Sequence, residues 1–246
     1  MNKVLGIIPA RFESTRLPGK PLIDILGTPM IIRTAQNAAD ALGQENIIIA
    51  TDDSRISDVC NNYGFKSVLT QKSHLTGTDR IWEVAQQYES DIYINIQGDE
   101  PIMPPDDIKL ILNEKEKCIK GVVNGICKLP DNIPPEVDSI PKAVVNENGK
   151  LVYISRLPIP GTLIHGKEIT YQKQVCVYAF NYDELKAFGQ FGRKSKLEKI
   201  EDIEMLRFFD LGVSIYMVET SGKSLAVDLP SDVKKVEEFL LSNHKI

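Results

Sequence analysis

The 246 residues include 29 Lys+Arg against 34 Asp+Glu, a formal net charge of −5, with 42% hydrophobic and 26% charged residues. A chain of this length buries roughly 70–75% of the surface its unfolded form exposes, so it folds without a disulfide or structural metal. The acidic balance argues against a general basic face for nucleic acid.

Cys60, Cys118, Cys127 and Cys176 form no C-x-x-C pair, and His74, His165 and His244 stand at no metal-ligand spacing from them or from each other, so zinc-ribbon and dithiol chemistry lack support. Val4–Ala10 is at the short end for a signal-peptide core and no small-residue cleavage pattern follows it. No run approaches ~20 apolar residues. The expectation is a cytoplasmic protein with reduced thiols and no membrane insertion.

In chain order, Val4–Pro9, Asn46–Thr51, Ser67–Thr70 and Asp91–Gln97 read as short strands rich in Ile and Val. Pro29–Leu42, Ser54–Tyr63, Thr78–Tyr88 and Pro105–Lys117 carry apolar residues at helical spacing. Strands covered on both faces and separated by helices predict an α/β fold: a mostly parallel sheet with helices on both faces. Further on, Ala143–Val145 and Leu151–Ile154 flank an Asn148-Gly149 turn and predict a hairpin. Gln174–Phe180 and Val213–Val218 read as strands. Leu197–Leu211 reads as one amphipathic helix, and Ser231–Leu241 as a terminal helix capped by Ser231. The whole chain, 1–246, reads as one domain in which roughly 130–190 is an inserted β-hairpin subdomain. Thirteen of the fourteen prolines lie within residues 1–160, so the rigid loops belong to the sheet and its exit.

Three segments could carry chemistry. The first strand runs into Pro9–Leu22, where Arg11, Arg16 and Lys20 face one acid, Glu13, for a local balance of +2. A loop at a strand's carboxyl end, with cations and glycine backbone N–H groups, can hold a polyphosphate, although neither a Walker motif nor G-x-G-x-x-G is present. Gln97-Gly98-Asp99-Glu100-Pro101 closes the strand at Asp91–Gln97 with adjacent carboxylates, which suit Mg²⁺, a cation that takes one or two carboxylates plus phosphate. An acidic turn capping the next helix would look alike. In His74-Leu75-Thr76-Gly77-Thr78-Asp79-Arg80, Thr78 is placed to cap a helix and Gly77 to allow close backbone approach. Thr51-Asp52-Asp53-Ser54 reads as strand exit and helix cap, and Asp228 in Ala226–Pro230 is weak alone.

Together these blocks, with Tyr153-Ile154-Ser155-Arg156, resemble the family of 3-deoxy-manno-octulosonate (Kdo) cytidylyltransferases, or CMP-Kdo synthetases, along nearly the whole chain. The resemblance implies a Rossmann-like nucleotide-diphospho-sugar transferase fold and a homodimer joined through the inserted strands. It also implies a Mg²⁺-dependent transfer from CTP to an acidic sugar for lipopolysaccharide or capsule. By the same resemblance Arg11 and Lys20 hold the triphosphate with Arg16 nearby, and with Asp99 they make the catalytic set. Pro9, Ala10, Ser14, Thr76, Gly77, Arg80 and Gln97 form the nucleotide pocket, and Asp99 and Asp228 bind the metal. Arg156, Gln174, Tyr178, Glu204 and Arg207 fall on the acceptor side.

That side departs from the family pattern. Its H-x-G-I-Y-x-Y reads Gln174-Val175-Cys176-Val177-Tyr178-Ala179-Phe180 here, and its L-E-Q-L-R reads Ile203-Glu204-Met205-Leu206-Arg207. Sites that discriminate by pairing polar groups change selectivity when those groups change. The acceptor therefore stays open between Kdo and a relative: an 8-amino-Kdo, another 2-keto acid sugar or a phosphorylated small molecule. A non-catalytic nucleotide-binding protein is a third reading, against which the intact Arg11, Lys20, Asp99 and Asp228 speak. Arg193–Lys199 adds a local +3, either a solvated helix start or a rim attracting an anion.

Overall fold

Val4–Ala10 forms the first strand, β1, and its consecutive Ile7 and Ile8 enter separate apolar layers on opposite sides. The two-residue period of a strand requires this when both faces are covered. The computed structural model describes residues 2–13, 17–118, 120–163 and 168–243. Ser14 and Arg16 of the expected nucleotide site lie outside these residues, as do His165 and His244.

After β1 come a small hairpin, β2 (Asp24–Ile25) and β3 (Thr28–Pro29), then α1 (Met30–Leu42), β4 (Ile47–Thr51), α2 (Ser54–Asn62) and β5 (Lys66–Leu69). α3 (Gly77–Ala85), β6 (Ile92–Ile96) and α4 (Pro105–Lys117) complete the anticipated alternation. The second half contributes β7 (Val122–Lys128), β8 (Lys142–Val145), β9 (Leu151–Ser155), β10 (Gln172–Phe180), α5 (Tyr182–Gln190), α6 (Lys196–Glu201), α7 (Met205–Asp210), β11 (Ile215–Glu219) and α8 (Pro230–Ser242).

Within the described residues the main sheet runs β11-β7-β10-β6-β1-β4-β5, with β8 paired to the start of β10 and β9 paired to β8. β6, β1, β4 and β5 are parallel, β11 is parallel to β7, and β10 is antiparallel to both neighbours. On one face Ile81 and Val84 of α3, Leu185 and Phe188 of α5 and Phe208 of α7 pack with Ile7 and Tyr93. On the other, Ile31 and Ile32 of α1, Ile56 of α2 and Ile108 and Ile111 of α4 pack with Ile8, Ile94 and Ile96. The α/β architecture with helices on both faces is the one the alternation predicts.

Four local expectations are corrected. The single helix expected at Leu197–Leu211 is two, because Asp202 turns left-handed (φ 52°) and ends α6 with its N–H donated to the Glu198 carbonyl at 2.8 Å. The helix expected from Thr78 starts at Gly77 and is capped by Thr76, whose hydroxyl accepts the Asp79 N–H at 3.2 Å. At α8, Asp232 does the work expected of Ser231: its carboxylate accepts the Asp228 and Leu229 N–H groups at 3.1 and 2.9 Å. β7 was not anticipated, since Asn124 and Gly125 interrupt its apolar run; Asn124 is fully buried and its amide donates to the Val175 and Val177 carbonyls, both at 2.9 Å, beside a bulge in β10.

A buried ion-pair cluster ties α4 to α5 and to the residue before β7. Lys115 at the end of α4 donates to both Glu184 oxygens, at 3.0 and 2.7 Å, and to the Gly121 carbonyl. Glu184 also accepts the Gly121 and Asn181 N–H groups at 2.7 and 2.9 Å. Removing one partner of such a pair leaves an uncompensated buried charge. Lys115→Met is expected to destabilise the chain by about 3–5 kcal/mol in urea titration, and adding Glu184→Gln should recover part of that loss.

Candidate active site

A cleft of about 760 Å³ opens at the carboxyl ends of β1, β4 and β6, where parallel α/β sheets bind ligands. Two glycines let its walls approach. A Cβ on Gly98 would stand 2.8 Å from the Pro9 carbonyl oxygen, so only glycine lets the end of β6 lie against the end of β1. A Cβ on Gly77 would stand 3.1 Å from Gln97 Nε2 and 3.3 Å from Pro9 Cγ. The start of α3 is thereby pressed onto Pro9 and Gln97, with its N-terminal dipole toward the cleft.

At the opposite end, Gly19 is left-handed (φ 68°) and leads into a one-turn 3-10 helix at Lys20–Leu22. Its Lys20 Nζ donates to Asp99 Oδ2 at 2.8 Å and to Asp228 Oδ1 at 3.2 Å. A backbone bond from the Val227 N–H to the Asp99 carbonyl, 2.9 Å, keeps the two aspartates adjacent. Burial pulls the Lys20 pKa down, but the two carboxylates outweigh it and the net displacement is upward, so the ammonium stays charged. Next to Asp99, Glu100 is buried; desolvation, with Asp99 adding, pushes its carboxyl up to about 7 against a hydrogen bond from the Ser224 hydroxyl.

Arg80, 3% exposed, lines the middle of the cleft and donates Nη2 to Asp52 Oδ2 at 3.0 Å and Nη1 to the Thr70 hydroxyl. Arg11 is exposed at the rim, with Pro9 and Ala10 behind it.

The predicted nucleotide residues that are described, Pro9, Ala10, Arg11, Lys20, Thr76, Gly77, Arg80 and Gln97, line this one cleft with Asp99 and Asp228. The acceptor-side residues are placed differently. Glu204 stands at the break between α6 and α7 behind the cleft residue Gln97, accepting the Thr78 N–H at 3.1 Å and Gln97 Nε2 at 3.3 Å. Burial raises its pKa against the hydrogen bonds it accepts from Thr78 and Thr76. Tyr178 is buried, and desolvation lifts its hydroxyl well above the usual tyrosine range.

Arg207, Gln174 and Arg156 are committed to protein partners. The Arg207 side chain has no exposure; it donates to Glu198 at 2.8 and 2.7 Å and to Asp79 at 2.6 and 3.2 Å, with its guanidinium 3.8 Å from the centre of the Phe188 ring. The expectation that it touches an acceptor is therefore corrected: it lies beneath the site and holds Asp79 in the first turn of α3. Gln174 is 8% exposed and donates to Asn124 Oδ1 at 2.9 Å, inside the sheet. Arg156 donates to the carbonyls of Glu201, Asp138 and Asp202 at 2.7, 2.8 and 2.9 Å, bracing the turn that ends α6.

Sequence reading missed Arg55 and Lys72 as cleft residues; Phe12 and His74 fell within segments it singled out but were given no role, and Asp52 and Asp53 were read only as strand exit and helix cap. His74 pairs with Glu83, which also accepts the Gln71 N–H at 2.9 Å. Asp52 and Asp53 look alike in sequence, but only Asp53 caps α2, accepting the Arg55 N–H at 2.9 Å. Hydrogen bonding and charge from Arg55 hold the Asp53 carboxyl down at about 2. The one available signal was position: Asp52 immediately follows the end of β4.

Among the described residues no group of three or more His, Cys, Asp and Glu side chains is arranged to hold a metal, and no helix is long and apolar enough to cross a membrane.

Residues 5–216 match the profile of the family described as Cytidylyltransferase. The chain is 36% identical over 240 residues to the 3-deoxy-manno-octulosonate cytidylyltransferase of Escherichia coli, covering 98% of this chain and 97% of that protein. It is 37% identical over 244 residues to that of Koribacter versatilis, covering 98% and 92%. Among solved structures it is similar to CMP:2-keto-3-deoxy-manno-octonic acid synthetase complexed with CTP, at TM-score 0.90 and 34% identity over 98% of this chain and 99% of that one. The inositol-1-phosphate CTP transferase from T. maritima shares the fold, at TM-score 0.70 and 20% identity over 96% and 94%. With its cations and paired aspartates gathered in one cleft, this chain belongs to the cytidylyltransferase family and is a nucleotidyltransferase of the 3-deoxy-manno-octulosonate branch.

Proposed function

We propose that this chain transfers the cytidylyl group of CTP to the anomeric hydroxyl of 3-deoxy-manno-octulosonate. The hydroxyl oxygen attacks the α-phosphorus, a new P–O bond forms, the bond to the β-phosphate oxygen breaks, and pyrophosphate leaves with its electron pair. The observation that carries this reading is the Lys20 ammonium held between Asp99 and Asp228 at one end of a cleft whose other end is the N-terminus of α3.

Arg11 and Lys20 lie where a triphosphate needs charge, and positioning with electrostatic compensation supplies most of the catalysis in such transfers. Pro9, Ala10, Thr76, Gly77 and Gln97 enclose the space for the nucleoside, and Arg80 braces it. Ser14 and Arg16 belong to the same proposed set. Magnesium fits the donors present: Asp99 and Asp228 offer two hard oxygen ligands side by side, and Mg²⁺ takes one or two carboxylates and completes its shell with water and phosphate. When bound, it supplies Lewis-acid compensation of phosphoryl charge and activates the attacking hydroxyl. In the nucleotide-free chain Lys20 bridges both carboxylates and offsets one of their two charges, and it is free to turn to a phosphate when the nucleotide arrives.

Glu204, bonded to Gln97, and Tyr178 on β10 support the acceptor side from beneath, while Gln174 acts through β10, Arg156 through the end of α6 and Arg207 through the first turn of α3. A second reading, a related acidic acceptor, is favoured by Cys176, which stands two residues before Tyr178 on β10 where the family pattern has glycine. We further propose one domain over 1–246 acting in the cytoplasm as a homodimer, with the strands of 130–190 as interface and acceptor region. Val152 and Leu157, exposed by 50 and 69%, support an apolar contact there.

Pyrophosphate release tests the reading. With CTP, Mg²⁺ and Kdo the wild type is expected to turn over, with CTP preferred to UTP and ATP; release with no acidic sugar in a panel that includes amino-Kdo and sialic acids contradicts it. Asp99→Ala and Asp228→Ala are each expected to lower kcat by at least about a hundredfold with the fold retained. Gly98→Ala, whose Cβ would strike the Pro9 carbonyl, is expected to raise KM for CTP.

A further inference from the structure

We propose that Asp52 is a positioning residue for the nucleotide, its carboxylate tying the Arg11–Phe12 peptide to Arg80 and so fixing how Arg11 leaves β1. The inference rests on the cytidylyltransferase reading and assigns to Asp52 a function within that site. Asp52 Oδ1 accepts the Phe12 N–H at 3.2 Å, and Oδ2 accepts Arg80 Nη2 at 3.0 Å. The Phe12 N–H belongs to the peptide that carries the Arg11 carbonyl, so this bond sets the plane in which the chain turns out of the sheet. The other partner is equally fixed. Arg80 also donates to the Thr70 hydroxyl, which donates to the Thr51 carbonyl at 2.9 Å, anchoring the guanidinium to the ends of β4 and β5.

Two observations separate this role from simple helix capping. Asp53 already caps α2, so Asp52 is free of that task. Asp52 also lines the cleft, where an uncompensated carboxylate would repel a triphosphate. The buried Arg80 guanidinium offsets that charge and lets the carboxylate serve as a two-ended acceptor. Only a carboxylate accepts at both oxygens. An Asn carries one acceptor and one donor, so at position 52 either Arg80 or the Phe12 N–H would face another N–H group.

The test is Asp52→Asn, read by CTP binding in calorimetry, by kcat and both KM values, and by the thermal midpoint. Kd and KM for CTP are expected to rise about tenfold, the effect of leaving one charge-assisted hydrogen bond unmade. The KM for the acceptor and the kcat at saturating CTP should change little. Asp52→Glu, which keeps two acceptor oxygens, should fall between wild type and Asp52→Asn, and it carries the test if Asp52→Asn does not fold. Asn181→Ala, which removes a cap from α5 far from the cleft, serves as the stability control and should lower the thermal midpoint with the CTP constants unmoved. Wild-type CTP affinity in folded Asp52→Asn or, if that variant does not fold, in Asp52→Glu overturns the inference. So does a joint rise of both KM values that follows the thermal midpoint alone. Failure of the wild type to bind CTP overturns the nucleotide reading itself and this inference with it.

Discussion

Lys20 reaches across 79 residues of sequence to Asp99 and across 208 to Asp228, and a single ammonium holds the two carboxylates beside one cleft. Much of the fold serves that contact. Gly19 takes the left-handed turn that aims Lys20 inward, the glycine after Gln97 lets β6 end against β1, and the Val227–Asp99 backbone bond seats the segment before α8 next to β6. Two carboxylates this close repel each other unless a cation stands between them. The ammonium offsets one of the two carboxylate charges, and the cleft also gathers Arg11, Arg55, Lys72 and Arg80, so a chain of net charge −5 concentrates cations in one place. The aspartates of the cleft stand paired with cations, Asp52 with Arg80, Asp53 with Arg55, and Asp99 and Asp228 with Lys20.

The opposite end of the cleft is rigid for a different reason. Asp79, in the first turn of α3, accepts from the Thr76 hydroxyl at 2.9 Å and is clamped by Arg207, whose other partner is Glu198. That buried chain of charges runs from the start of α3 to α6 and α7, so the break at Asp202 and the placement of Glu204 behind Gln97 are mechanically one unit. Such networks hold geometry better than they add stability, since desolvation consumes most of the Coulombic gain. Their value here is in fixing the N-terminus of α3 at one end of the cleft.

The parallel half of the fold was legible because its strands are apolar on both faces and its helices have a clear 3.6-residue period, as in β1, β4 and α1. β7 was not, because Asn124 and Gly125 break the apolar run to serve a bulge in the neighbouring strand. The Leu197–Leu211 pattern hid a break because Asp202 needs only one left-handed residue, which no periodicity reports. In the site, Arg11, Lys20 and Gln97 could be placed from local charge and strand ends. The adjacency of Asp99 and Asp228 depends on tertiary folding and entered only through resemblance. Arg207 was misread as a ligand contact since an arginine motif looks the same whether its guanidinium faces a cleft or two buried acids. The distinction between Asp52 and Asp53 likewise exists only in three dimensions.

Manganese binding to the nucleotide-free protein, followed by electron paramagnetic resonance, tests most directly whether Lys20 holds Asp99 and Asp228 as a latent metal site. Replacing the ammonium by Lys20→Met removes the cation that competes for both carboxylates. The account predicts tighter Mn²⁺ binding in Lys20→Met than in wild type, and loss of that gain when Asp228→Asn is added. Equal Mn²⁺ affinity in wild type and Lys20→Met, unaffected by Asp228→Asn, would contradict it.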